Sequence, residues 1–308
     1  MSEFRRNIDA LCMTDGTGVM ATISAVSTSG GKDTYTCNAA GDGFDIRLLR
    51  FGDTYSVYNA ALTTRRPFAG APAGIRAGEA PIDLYDIDAK QVRFNGTAAG
   101  AIATDKIVVG GLTATPPVSL FGLPYHHSSA STGTWLGLDR ALVPEIRANS
   151  VAASGALALP FARLALNKIG RRVGIDMIPK TIAFMHPCQK QAYEGLGQLV
   201  SIIQKQAKEE ALNLYFGDGM QMAGAPIVTS YSADKTRIDF VVLDMWGRAE
   251  LKPPRFYEED GKKIFEVRGS SGGVATSSLY YVVADFNLFI TNPAMASYIS
   301  GLTVPTGY

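Results

Sequence analysis

Net charge, paired cysteines and long apolar runs are all missing from this sequence. Lysine plus arginine number 29 against 28 aspartates plus glutamates, a formal charge of +1, so no global basic field draws nucleic acid from solution and any DNA contact is local. The three cysteines, Cys12, Cys37 and Cys188, are widely separated and odd in number. They argue against a disulfide framework and for synthesis in a reducing cytosol, with buried free thiols as the plain reading. No apolar run reaches the roughly 18–20 residues of a membrane helix, and the opening M-S-E-F-R-R-N-I-D lacks a signal peptide's apolar core. The expectation is a soluble chain that does not contact membranes and is not exported by the general route.

Reactive motifs are equally scarce. The glycine-aspartate clusters at Thr14–Gly18, Gly41–Phe44 and Phe216–Met220 carry neither the lysine and hydroxyl of a nucleotide P-loop nor the spaced glycines of a dinucleotide turn, and are expected as plain turns. His126 and His127 are adjacent and followed by two serines. Neighbouring loop side chains rarely converge, and H-E-x-x-H and C-x-x-C are absent, so these read as loop histidines without a metal. His186 and Cys188 straddle Pro187, where the histidine is expected to end a strand or cap a helix. R-G-S-S-G-G at Arg268–Gly273 lacks the spacing of a nucleophile elbow and reads as a flexible loop. No catalytic, cofactor-binding or metal-ligating residue is expected, and the chain is expected not to be an enzyme.

What is there is ordinary folding material. With 308 residues, 46% hydrophobic and 19% charged, the chain suffices for one large or two modest domains. From Gly18 to about Thr115 short alternating runs such as V-M-A-T-I, T-Y-S-V-Y, I-D-L-Y-D and K-I-V-V are separated by turn clusters, predicting a small antiparallel barrel or sandwich. The glycine- and proline-rich Ala69–Pro81 segment is expected to leave the sheet as a surface contact loop.

Beyond Pro116-Pro117 a loop from Phe121 to Leu138 gives way to a helical period. A helix starting at Pro160 is predicted to bury Phe161, Leu164, Ala165 and Ile169, with Arg171 and Arg172 in its last turn and Gly174 as its stop. A second, from Pro187 to about Leu212, should bury Tyr193, Leu196, Val200 and Ile203 and turn Lys190, Gln191, Glu194 and Gln198 outward. Strands are predicted at Ile238–Asp244, Phe256–Val267 and Leu279–Thr291, with a hairpin turn at Asp260-Gly261 and a closing helix from Pro293. Helices followed by strands make this region α+β.

Five segments in order carry a resemblance: T-D-G-T-G-V-M-A (Thr14–Ala21), W-L-G-L-D-R (Trp135–Arg140), I-A-F-M-H-P (Ile182–Pro187), M-A-G-A-P-I-V-T-S (Met222–Ser230) and L-F-I-T-N-P-A (Leu288–Ala294). Together with the aromatic tail from Arg237 to Tyr308, they resemble the tailed-bacteriophage major capsid (coat) protein family. The resemblance implies an α+β capsid-type fold of peripheral and axial domains. Residues 1–17 would be the remnant of a spine helix and its turn, 18–115 an inserted β-rich module, and 116–308 the capsid core. Family members carry an N-terminal arm, an extended loop and a spine helix before the glycine-aspartate signature, whereas only Met1–Met13 precede it here, so the resemblance implies a fragment of a longer reading frame. The implied function is structural: self-association into pentamers and hexamers that form an icosahedral head around nonspecifically held double-stranded DNA, together with scaffolding, portal or decoration proteins. The implied location is the virion, after synthesis in the host cytoplasm, and no cofactor is implied.

Charged groups in two exposed segments are the candidate intersubunit contacts: Arg65, Arg66, Arg76 and Glu79 around the first loop, and Glu258, Glu259, Asp260, Lys262 and Lys263 at the hairpin tip. Three alternatives stand beside the capsid reading. One is an encapsulin-like compartment subunit of the same fold. Another is a hydrolase using His126, His127 and an acid such as Asp139. The last is a tail or adhesin module, limited by having only Trp135 and Trp246 for stacking although 13 tyrosines are present.

Overall fold

Turn residues cut the first third into short strands, and the computed structural model shows which of them pair. It describes residues 8–37, 43–70, 75–174, 176, 180–204, 221–258, 261–266, 278–279 and 282–305. Residues 8–12 are helical (α1). There follow β1 (Val19–Thr22), β2 (Ala25–Ser29), β3 (Lys32–Thr36), β4 (Thr54–Tyr58), β5 (Arg65–Arg66), β6 (Phe68–Ala69), β7 (Ala80–Asp86), β8 (Gln91–Phe94), β9 (Thr97–Ala98) and β10 (Lys106–Val109). Gly30 and Gly31, both at positive φ, close the tight β2–β3 turn, a conformation side chains resist.

The hydrogen-bonded order is β1-β10-β4-β7-β8-β3-β2, with β5 on β4, and every pairing is antiparallel. Ile23 N donates to Asp105 O at 2.8 Å and Ser24 N to Thr36 O at 2.7 Å, so the chain runs from β1 at one end of this path directly into β2 at the other. Alternation then sorts the side chains: Tyr35, Val57, Ile82, Val92, Phe94 and Ile107 face one shared core. Phe94 is its centre, touched by the rings of Tyr35, Tyr55 and Phe68 at 5.4, 6.3 and 5.1 Å. Burying such a ring contributes roughly 1.5–3 kcal/mol. The expected excursion at Ala69–Pro81 is shorter than its composition suggests, because Ala80 and Pro81 already belong to β7.

The second half begins with a one-turn helix, α2 (Leu123–His126), and a small hairpin of β11 (Thr134–Trp135) and β12 (Leu138–Asp139). Then come β13 (Asn149–Gly155), α3 (Leu159–Val173), β14 (Thr181–Met185), α4 (Pro187–Gln204), β15 (Gln221–Met222), β16 (Ala225–Thr229) and β17 (Ile238–Val242). The chain ends through β18 (Trp246–Phe256), β19 (Phe265–Glu266), β20 (Ser278–Leu279), β21 (Val282–Ile290) and β22 (Ser297–Leu302). Six of these strands form a mixed sheet in the order β13-β22-β17-β14-β16-β15.

Helix α3 lies over β13 and β22 and buries Ala162, Ala165, Leu166 and Ile169. Two of the four predicted positions are therefore displaced. Leu164 is exposed and Phe161 sits at the rim, because the small alanines set the face of closest approach to the sheet. Gly174, at φ 101°, stops the helix where expected. His186 does cap α4: its Nδ1 accepts from Cys188 N at 3.1 Å. Tyr193 is buried and Leu196 joins the same core; the stretch from residue 205 to the predicted end near Leu212 lies outside the described residues.

The predicted closing helix is a single 3-10 turn, Pro293–Met295, with Asn292 Oδ1 accepting from Ala294 N at 3.0 Å. It ends at once because the alternating S-Y-I-S-G-L that follows is taken up as β22, between β13 and β17. The predicted Phe256–Val267 strand is also shifted. β18 starts at Trp246 and pairs with β21 from Trp246↔Ile290 to Phe256↔Val282, bulging around Pro253 and Pro254. This two-stranded ribbon leaves the six-stranded sheet with most of β18 exposed. The described architecture is thus mostly β with few helices, and no described helix is long and apolar enough to cross a membrane.

Candidate functional site

At the base of the ribbon, two adjacent histidines join it to the six-stranded sheet. α2 ends at His126 and His127 forms the turn after it; both histidines, expected in a loop, are fully buried. The position follows from Pro124, which suits a helix's first turn. His126 Nδ1 accepts from Trp135 Nε1 at 3.1 Å, which leaves the proton on Nε2 to donate to Leu288 O of β21 at 3.0 Å. Its ring stands edge-on to Trp246, 5.3 Å between centroids, at the start of β18.

His127 turns the other way. Its Nδ1 lies 2.9 Å from Asp239 Oδ1, on β17, and its ring is 5.5 Å from that of Trp246. Arg237 holds the same carboxylate through Nη2 at 2.7 Å and Nε at 3.0 Å, and also donates to His127 O at 3.2 Å. The guanidinium lies 3.9 Å from the centre of the Tyr298 ring on β22, and the Tyr298 hydroxyl meets Ser129 Oγ at 2.7 Å. Sheet strands β17 and β22, ribbon strands β18 and β21, and hairpin strand β11 therefore all close on one cluster.

Burial depresses the pKa of His126 to about 4, against the opposing pull of its bond to Leu288 O. Burial also lowers that of His127, partly offset by Asp239. For Asp239 burial acts upward, but Arg237 and then His127 outweigh it and hold the carboxyl below its usual range. The cluster is thus a buried arginine–aspartate pair with a neutral histidine donating from Nδ1. His127 Nε2 is then a bare lone pair, and it and Trp246 Nε1 have no hydrogen-bond partner among the described residues. Both imidazoles are sealed from solvent, and the cluster ties hairpin, ribbon and sheet to one another.

The structure does not bring together the residues named for the hydrolase alternative. Asp139 is exposed on β12, where it accepts from Ala141 N at 2.8 Å, while the acid that meets His127 is Asp239. No group of three metal-ligating side chains occurs among the described residues. The signal for Asp239 was present in R-I-D-F-V-V: an acid inside an apolar strand must find a partner.

The candidate contact residues divide. Glu79 is 2% exposed; its Oε1 accepts from Gly111 N at 2.8 Å and lies 3.5 Å from Arg65 Nη2, so it presents nothing to a neighbouring subunit. Arg65 also donates to Ser56 Oγ at 3.0 Å, and Arg66 pairs with buried Asp105. Each is half-buried and ties one strand to the next. Arg76 is exposed and donates to Gly111 O at 2.6 Å. At the ribbon's far end Lys263 pairs with Glu258 at 3.7 Å and Lys262 is exposed; Glu259 and Asp260 lie outside the described residues.

No protein-family model matches the chain, and neither does any curated protein. Solved structures do resemble it. One is a chain of the cyanophage A-1(L) capsid asymmetric unit, 14% identical, covering 63% of this chain and 63% of that one with a TM-score of 0.42. Another belongs to a virus-like particle from Pyrococcus furiosus, 11% identical over 50% of this chain and 54% of that one, with a TM-score of 0.29. A third belongs to the satellite phage P4 procapsid including size determination (Sid) protein, 10% identical over 59% and 48%, TM-score 0.31. All three come from capsids or virus-like particles, and this chain spans less than two thirds of each.

Proposed function

We propose that the protein is a structural subunit of an icosahedral phage-type head, a coat protein that associates with copies of itself into pentamers and hexamers around double-stranded DNA. The observation that carries this reading is the β18–β21 ribbon. A two-stranded ribbon is marginal by itself in water, yet this one projects with Leu251 at 82%, Phe256 at 47% and Tyr257 at 41% exposed, while its base is locked into the sheet by His126, His127 and Trp246. An arm fixed at one end that exposes Leu251, Phe256 and Tyr257 among charged side chains such as Arg248, Lys252 and Arg255 is suited to lie on a neighbouring copy, in the repeated heterologous contacts that close a ring.

The ordered sequence resemblance supports the same reading, with I-A-F-M-H-P falling at the β14–α4 junction and A-P-I-V-T forming β16. In this reading residues 18–115 are a barrel-like module inserted between a spine-helix remnant at 1–17 and the capsid core at 116–308. Negative-stain electron microscopy of the purified chain, alone and with any natural upstream sequence restored, tests it. Five- or six-membered rings or closed shells are the expected result; monodisperse monomers from both preparations overturn it.

A further inference from the structure

A chain with 29 cations and 28 carboxylates should mix its charges along its length, and one stretch does not. Between Glu145 and Asp176 there is no aspartate or glutamate, while Arg147, Arg163, Lys168, Arg171 and Arg172 all fall inside it. The stretch folds as β13, the edge strand of the six-stranded sheet, and α3 laid over it. Ala162, Ala165, Leu166 and Ile169 face the sheet, and Arg163, Arg171 and Arg172 are exposed on the rest of the helix, with half-buried Lys168 at the edge of β13. Arg163 and Arg171 are exposed and stand two turns apart on one face, about 12 Å along the axis.

None of the five cations joins an ion pair among the described residues. Lys168 and Arg172 instead donate to backbone carbonyls, Lys168 to Ser150 O and Arg172 to Arg147 O at 2.6 Å and Pro144 O at 3.1 Å. Carbonyls position a cation without cancelling its charge. The result is a basic face in a molecule whose remaining residues carry more carboxylates than cations.

We infer that the outer face of α3 is a nucleic-acid contact surface that takes the phosphodiester backbone of a duplex, with Arg163 and Arg171 as direct phosphate contacts and Lys168 and Arg172 beside them. Such a face reads charge and not sequence, which suits a surface with exposed guanidinium groups. The inference deepens the shell reading by assigning the side of the subunit that meets packaged DNA, and it rests on that reading for the identity of the polyanion.

The test is fluorescence anisotropy of a short duplex of arbitrary sequence with the full chain, between about 50 and 200 mM salt. Arg163→Gln and Arg171→Gln are combined in one variant, since both side chains are exposed and neither joins an ion pair among the described residues. Wild type is expected to bind with an affinity that falls with salt. The double variant is expected to bind roughly 10- to 100-fold more weakly, with the log–log salt slope reduced by about 1.8, some 0.9 for each lost phosphate contact. Equal binding by both proteins overturns the assignment. So does a wild type that ignores the duplex but binds anionic lipid vesicles through the same arginines.

Electron microscopy of the same samples separates the two readings. Shells formed by both proteins with no duplex binding overturn the α3 surface and leave the shell subunit standing. Monomers that bind duplex through Arg163 and Arg171 support the surface and remove the shell.

Discussion

His127 and Asp239 stand 112 positions apart in the chain and meet at 2.9 Å between ring nitrogen and carboxylate oxygen. The pair joins the segment after α2 to β17, and Arg237 shares the carboxylate. Removing the acid leaves a buried guanidinium without its counter-charge, a loss of about 3–5 kcal/mol. Asp239→Ala is therefore expected to lower the urea midpoint steeply, whereas Asp139→Ala on exposed β12 should change stability by no more than about 0.5 kcal/mol. Equal effects from the two substitutions would show that the joint does not carry the load argued for it.

Acid should weaken the fold before the carboxylates titrate. Burial lowers the pKa of His126 to about 4 and, with Arg47 and Lys235 adding to it, that of His186 to about 3; His127 moves the same way. An unfolded histidine takes up its proton near pH 6.5. Below that pH the unfolded chain therefore binds protons that the folded chain refuses. The stabilisation is complete above about pH 6.5 and is lost as the pH falls toward 4, at up to about 1.4 kcal/mol per unit for each histidine. Urea unfolding at about pH 7.5 and pH 5.5 measures it, and a midpoint that holds or rises on acidification contradicts the burial of these rings.

Local rules reached far along this chain and then stopped where contacts became non-local. Gly30-Gly31, Gly174 and the Pro187 helix start are legible because a turn, a stop and a cap each depend on a few adjacent residues. Strands β4, β7, β8 and β10 are legible from alternation, but their order β10-β4-β7-β8 is not, since pairing depends on which edges meet in three dimensions. Periodicity alone assigns Leu164 to the buried face, whereas the face of α3 is chosen by the closeness that Ala162 and Ala165 allow, a property of the sheet beneath as much as of the helix. At the joint, adjacency drew attention to His126 and His127 and Asp139 was the nearby acid. The true partner lay on β17, signalled only by an acid in an apolar run. Glu79, charged and beside a glycine-rich loop, reads as exposed until Arg65 and Gly111 N are seen to satisfy it.

Where the turn at Gly43 meets the segment before β17, the chain has no room for a side chain. A Cβ there would come within 1.6 Å of Asp234 Oδ1 and 3.0 Å of Lys235 N, where Lys235 N donates to Gly43 O at 3.1 Å and Lys235 Nζ meets Asp45 at 3.0 Å. Gly43→Ala must push Asp234 and its neighbours away and disturb that ion pair. The expected result is a loss of about 1–3 kcal/mol and faster proteolysis between residues 43 and 54, because that segment is no longer held by Lys235. Unchanged stability and protease resistance would mean that the segment is not held at this point.

Stability and assembly should come apart on the ribbon. Leu251 projects at 82% exposure from β18, so a charge in its place removes almost no packing within the chain, and surface changes of this kind usually stay within about 0.5 kcal/mol. Against a neighbouring copy the same charge has to be desolvated without a partner, which costs several kcal/mol in effective terms and recurs at every contact around a ring. Leu251→Glu is accordingly expected to unfold at the wild-type urea concentration while its particles disappear from electron micrographs and its sedimentation falls to that of a monomer. Leu251→Met, which keeps the apolar surface, should assemble as wild type does. A glutamate variant that assembles normally would place the contact surface elsewhere on the subunit, and one that unfolds early would mean that Leu251 serves its own chain.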